Sequence, residues 1–231
     1  MLPKIDVPIY ELDLPLSKKS VKFRPFLVKE EKILLMAMES NTDDSSLLAI
    51  KQIITNCCLS DDINIESLPI TDLEYFFLNL RARSVGEIVD LQYKCNNKVK
   101  NENDEDVECG NVVKLEVNIL DVKPEVNENH KTKIEFSPKL GIVMKYPSFK
   151  SVEDNEKLEG TEADKLMNVL AGCIESIYTD EDIFYAKDVS KQELVEFVEN
   201  LTREQFVKVQ EFFDTIDRKS TRLNSSHTDI S

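Results

Sequence analysis

Apolar and polar residues alternate at the start of the chain. Ile9-Tyr10-Glu11-Leu12-Asp13-Leu14 and Ser20-Val21-Lys22-Phe23-Arg24 repeat every second residue, the period of a half-buried strand. A turn at residues 15–19 lets the two close into a hairpin. The period then changes. Residues 28–39 carry Ile33, Leu34, Leu35, Met36 and Met38, more apolar surface than one helical stripe requires. That predicts a helix either central in the core or covered by a partner. A second helix is predicted from about residue 45 to 57, with Leu48, Ile50, Ile53 and Ile54. Thr71 and Glu74 have capping-box spacing ahead of Leu73, Phe76, Phe77 and Leu80. Gly86 ends that helix, and Arg81 and Arg83 suit the negative end of its dipole.

Strand character returns at residues 87–93 and 112–119, which are predicted to pair antiparallel. The polar stretch 96–108 is their connecting loop, and residues 124–131 read as another loop. Residues 133–136 and 141–145 read as two short strands around a turn at 138–141. From Pro147 the pattern is helical. A weak helix is predicted over 149–158. A strong one is predicted over 161–178, with Leu166, Val169, Leu170, Cys173, Ile174 and Ile177 on one side. Ser190 with Glu193, and Thr202 with Gln205, form two further capping boxes. They precede Leu194, Phe197 and Val198, and then Phe206, Val209, Phe212 and Phe213. The predicted class is α+β. An N-terminal hairpin and helices cover 1–86, a central antiparallel β region 87–146, and a C-terminal helical part 147–216.

Residues 217–231 break the trend, with Ser, Thr and Asn where the body has Glu, Leu and Phe. Asp217-Arg218-Lys219-Ser220-Thr221-Arg222-Leu223-Asn224-Ser225-Ser226-His227 resembles a sequencing adapter translated in frame. This tail is therefore expected to be non-native, with a native segment missing beyond about Ile216. It carries three basic and two acidic residues of the 29 and 44 in the chain, which leaves the body at −16.

Charge narrows the partners. The whole chain carries −15, with 32% charged and 41% hydrophobic residues over 231 positions. Phosphate and anionic membrane binding need clustered Lys and Arg, and this chain has no basic stripe. The acidity suits solubility, or a meeting with a basic protein surface. No apolar segment of signal-peptide type follows Met1-Leu2-Pro3-Lys4, and no run approaches the ~18 apolar residues that span a bilayer. The protein is expected to stay in a cytoplasm with its five cysteines reduced.

Candidate chemistry is sparse. Cys95 and Cys109 flank the polar loop at the ends of the two predicted partner strands, and they are the candidate metal ligands, for zinc. Lys98 stands where a Cys-x-x-Cys pair would place its second thiol, so the alternatives are two loop thiols or a degenerate ribbon. Cys173 fits a packing role, and the vicinal Cys57-Cys58 thiols diverge too far to share a metal. His130 has no Ser or Cys neighbour with which to form a triad, and no phosphate-binding Gly-rich loop is present. The expectation is no enzyme, no cofactor and no small-molecule substrate. Phe212 and Phe213, with Phe197 and Phe206, suit the core of a helical hairpin, and the same face suits an assembly surface.

Several stretches carry a resemblance. They are Leu2–Ile5, Tyr10–Leu12, Phe23–Glu39 (Phe23-Arg24-Pro25-Phe26-Leu27-Val28-Lys29-Glu30-Glu31 and on), Ile50–Ile54, Leu80–Glu87 (Leu80-Arg81-Ala82-Arg83-Ser84-Val85-Gly86-Glu87), Val143–Pro147, Ala186-Lys187-Asp188 and Glu204–Phe213. Through them the chain resembles the T4-type phage baseplate hub assembly proteins over roughly residues 2–216; the loop 96–108 matches poorly. The resemblance implies a chaperone or assembly factor for the central hub of a contractile tail, with other baseplate hub proteins as partners. It would work in the host bacterial cytoplasm during virion assembly, or sit in the tail baseplate. No catalytic residue carries over. The residues expected to meet a partner are Phe26, Glu30, Glu31, Phe212 and Phe213. The alternatives are a structural hub subunit retained in the virion and a degenerate zinc-ribbon adaptor.

Overall fold

The computed structural model describes residues 6–40, 43–100, 106–124 and 130–216. The segment 217–231 lies outside them. The chain is mixed α+β, with two hydrophobic cores.

The first core gathers the N-terminal elements. Strands β1 (Tyr10–Asp13) and β2 (Ser20–Phe23) pair antiparallel, with Tyr10 opposite Phe23. Helices α1 (Val28–Ser40), α2 (Asp43–Cys57) and α3 (Ile70–Ser84) follow. Val21, Phe23, Ile53, Ile54, Leu73, Phe76 and Leu80 are buried together, with Phe23 edge-on to Phe76 at 5.4 Å between centroids. Asp72 anchors the hairpin turn to α3. Its buried carboxylate accepts the Leu16 and Ser17 amides at 2.8 and 2.7 Å. The capping box expected at Thr71 and Glu74 does not form. Helix α3 starts two residues earlier, with Pro69 in the cap position, and Thr71 is buried inside its first turn.

Strands β3 (Ile88–Lys94) and β6 (Val112–Asn118) pair antiparallel over their whole length, as the alternation predicts. The stretch expected as a plain loop holds a second short pair, β4 (Lys98–Lys100) with β5 (Asp106–Glu108). Together they make a two-stranded ribbon, and neither core takes in a ribbon residue.

The second core lies under a four-stranded antiparallel sheet. Its strands are β7 (Lys133–Ser137), β8 (Leu140–Met144), β9 (Ile174–Thr179) and β10 (Ile183–Tyr185), in the order β10-β9-β8-β7. Helices α5 (Glu162–Gly172), α6 (Lys191–Glu199) and α7 (Arg203–Ile216) supply Leu170, Leu194, Val198, Val209 and Phe212 to it. The long helix expected over 161–178 is therefore two elements. Helix α5 ends at Gly172, Cys173 caps it, and the chain re-emerges as the inner strand β9. Ile174 and Ile177 fit a helical face and a strand equally well, so periodicity misleads here. The β-branched and aromatic run Ile174, Ile177, Tyr178, Thr179, hydrogen-bonded to neighbours on both sides, decides for strand. Gly141 on β8 faces Tyr178, and a methyl there would overlap the phenol and the Ile134 carbonyl. The expected boxes at Ser190/Glu193 and Thr202/Gln205 both close reciprocally.

Helix α4 (Phe149–Glu156) follows β8 in sequence but buries Phe149 in the first core. The Ile70 amide donates to the Pro147 carbonyl at 2.9 Å, and Lys51 bridges Glu66 and Glu153 at 2.7 and 3.3 Å. The boundary expected at 146 thus runs through both cores. β7 and β8 pack with the C-terminal helices, and α4 packs with the N-terminal unit.

Candidate partner interface

The motif around Arg24 turns out to be a joint. Arg24 donates to both carboxylate oxygens of Glu30, at 2.9 and 3.3 Å, and to the carbonyls of Pro25 and Asn56, each at 2.9 Å. Glu30 also accepts the Leu27 amide at 2.9 Å, which caps the entry to α1. The Phe26 amide donates to Ser84 Oγ at 2.8 Å, tying the same corner to α3. Burial alone would raise the Glu30 carboxyl. The hydrogen bonds from Arg24 and Leu27 outweigh it and hold the group below its ordinary range. The Glu30 hydrogen bond likewise raises the Arg24 guanidinium.

Two of the residues expected to meet a partner are therefore interior. Glu30 is fully buried and committed to Arg24. Phe212 is buried in the second core, against Phe213 at 5.1 Å and His130 at 4.8 Å. Both corrections share a cause: one helical turn carries a surface residue beside a core residue, and the run of types does not say which is which. Phe26 is half-buried against Phe77 at 6.2 Å, and Phe213 is half-buried on the second core. Glu31 is exposed on α1.

The candidate metal ligands Cys95 and Cys109 both lie where the β3–β6 pair passes into β4 and β5. The Cys95 amide donates to Asn111 O at 2.9 Å, Gly110 N to Cys95 O at 3.1 Å, and Cys109 N to Asn97 O at 2.7 Å. Gly110, at φ 62°, makes the left-handed step that closes this arrangement. Among the described residues no group of three or more His, Cys, Asp or Glu is placed to hold a metal. Two thiols supply half of a tetrahedral zinc set. Burial pushes the Cys57 thiol up to about 11 and the Cys173 thiol up to about 12, in keeping with a packing role. An open depression is lined by His130, Lys131, Thr132, Lys133 and Glu135, an imidazole among charged groups with no serine or cysteine.

Among the described residues α1 and the β3–β6 ribbon both expose groups of apolar side chains, as does the short edge strand β10 with Ile183, Phe184 and Tyr185. The outer half of α1 exposes Val28 at 81%, Leu35, Met36 and Met38 at 73%, interleaved with Glu31 and Glu39. Single exposed apolar residues are ordinary; a face of them on one helix marks a contact surface. The excess of apolar residues along residues 28–39 carried this signal in the sequence. The second surface is the ribbon. Register sets Val89 opposite Val117, Leu91 opposite Leu115 and Tyr93 opposite Val113, so six apolar side chains share one face. That signal was present in the alternation of the two strands, once their register was known.

These features define an α+β chain in which helix α1 and the β3–β6 ribbon carry exposed apolar faces. The comparison with protein families is specific: residues 7–228 match the family described as T4 bacteriophage base plate protein, and the chain belongs to that family. The matched span runs past Ile216 into the segment that resembles an adapter translation. No curated protein and no solved structure matches the chain. Among the described residues no helix is long and apolar enough to cross a membrane.

Proposed function

We propose that this baseplate-family protein is an assembly factor for the central hub of a contractile tail, which acts by binding other hub proteins and transforms no substrate. The observation that carries the reading is the outer face of α1. Val28, Leu35, Met36 and Met38 project into water from a helix rigidly mounted by the Arg24–Glu30 joint. Met side chains adapt to irregular partner surfaces, and apolar burial supplies roughly 25 cal/mol per Å². The charged residues among them, Lys29 and Lys32 with Glu31 and Glu39, balance, so the apolar side chains give the face its character.

The test is complementation. Deleting the gene is expected to stop the formation of hub-containing baseplates while other tail parts accumulate, and a plasmid copy restores them. A Leu35→Ser/Met38→Ser copy is expected to fold normally by circular dichroism and to fail in complementation. Full complementation by the folded variant would remove α1 from the reading. Normal baseplates without the gene would remove the reading itself.

A further inference from the structure

The β3–β6 ribbon raises a separate question. An isolated two-stranded ribbon is marginal in water; a third strand or a cover on its apolar face is what normally holds one. Among the described residues β3 and β6 pair only with each other, and no residue of either strand belongs to the two cores. Tyr93 at 63%, Leu91 and Val113 are exposed on the shared face, above Val89, Leu115 and Val117. The opposite face is mostly polar: Asp90 lies across from Glu116 and Gln92 across from Lys114, with Ile88 across from Asn118 and Lys94 across from Val112 at its ends. A sheet with one polar and one apolar face is built to be covered on the apolar side.

Resting on the assembly-factor reading, the geometry points to this face, centred on Leu91, Tyr93, Val113 and Leu115, as a second docking surface, whose occupant is a basic protein of the baseplate. Two arguments weigh against a second copy of this chain packed ribbon on ribbon. The first is area. Seven residues per strand at about 3.4 Å, on strands about 4.8 Å apart, make a face of roughly 24 by 10 Å. Ribbon packed on ribbon would bury roughly 500 Å² in total, about half of what a specific interface requires. The occupant must reach beyond the ribbon. The second is charge. Each copy carries −15, so two copies repel, and a basic protein is drawn in. Adding a strand to either open edge would pair backbone groups and leave the face wet, so the face selects the partner.

The test titrates the full chain against the purified hub and baseplate proteins of the phage that encodes it, one at a time, at low and at physiological salt. One basic protein is expected to bind, more tightly at low salt. The Leu91→Ser/Tyr93→Ser variant is expected to lose at least tenfold in affinity. These side chains are exposed, so a circular dichroism spectrum like that of the parent is expected. Should the variant misfold, Val113→Thr provides a milder probe, with an expected loss of about threefold. Unchanged affinity in folded ribbon variants, with loss in the α1 variant, would overturn the ribbon proposal and leave the assembly reading intact. No binding by any of these proteins would overturn both. A homodimer dissolved by the ribbon variant, seen by light scattering, would overturn the choice of occupant.

Discussion

Glu30 and Glu31 are neighbours in sequence and opposites in role. Glu31 lies in water, whereas Glu30 is buried and shared among Arg24 and the Leu27 amide. Glu30→Gln leaves a nearly buried guanidinium without its counter-charge, and an expected loss of about 3 kcal/mol in urea unfolding follows. Glu31→Gln is expected to change stability by less than about 0.5 kcal/mol. The pair also sets an acid limit. Because the folded Glu30 carboxyl is held below its ordinary 4.5, its contribution is complete above that pH and fades as pH falls through the lowered value. His130 acts earlier. Its ring stacks on Tyr146 at 5.3 Å and sits 4.8 Å from Phe212, with Nδ1 at 2.8 Å from Thr215 Oγ1. Among the described residues Nε2 is buried without a hydrogen-bond partner. The Thr215 hydroxyl already faces the Glu211 carbonyl at 2.8 Å, so Nδ1–H donates to it and Nε2 stays unprotonated. Burial lowers the imidazole below its ordinary 6.5. The unfolded chain therefore binds the proton first, and stability, complete above about pH 6.5, declines as pH falls below it. Thermal melts from pH 7.5 to 5 are expected to show this decline, and His130→Phe to flatten it.

At the scale of elements, the contacts between β8 and β9 rest on one small residue. Gly141→Ala is expected to cost about 2 kcal/mol, because the added methyl displaces the Tyr178 ring and overlaps backbone as well. Thermal unfolding of the single variant and of Gly141→Ala/Tyr178→Ala separates the ring from the backbone share: partial recovery in the double variant is expected. The same strand marks the limit of what the residue pattern reveals. Hairpin β1–β2, helices α1 and α2, the β3–β6 and β7–β8 pairs and both C-terminal capping boxes were legible, because local period and local hydrogen bonding agree there. Strand β9 was not, because its residues satisfy two periods and only the strands on either side choose between them. The α3 cap at Thr71 failed for a related reason: Pro69 sets the helix start and the Thr side chain turns inward. Of the candidate interface, the apolar excess of α1 was readable. The burial of Glu30 and Phe212 was not, since it depends on which neighbour lies across the joint.

For the whole molecule, the two cores and the exposed apolar faces divide the work. The chain passes between the cores at α4, which follows β8, buries Phe149 in the first core beside α3's entry and is held there by Lys51, which pairs with both Glu66 and Glu153. The exposed apolar faces of α1 and of the ribbon belong to a chain of the T4 base plate family. A permanent subunit and a transient assembly factor would use such faces alike, and they differ in where the protein ends up. Quantitative mass spectrometry of purified particles, set against the infected cell, separates them most directly. The assembly-factor account predicts abundant protein in the cell and less than one copy per particle. Recovery in the particle at a fixed ratio to the hub proteins would contradict it.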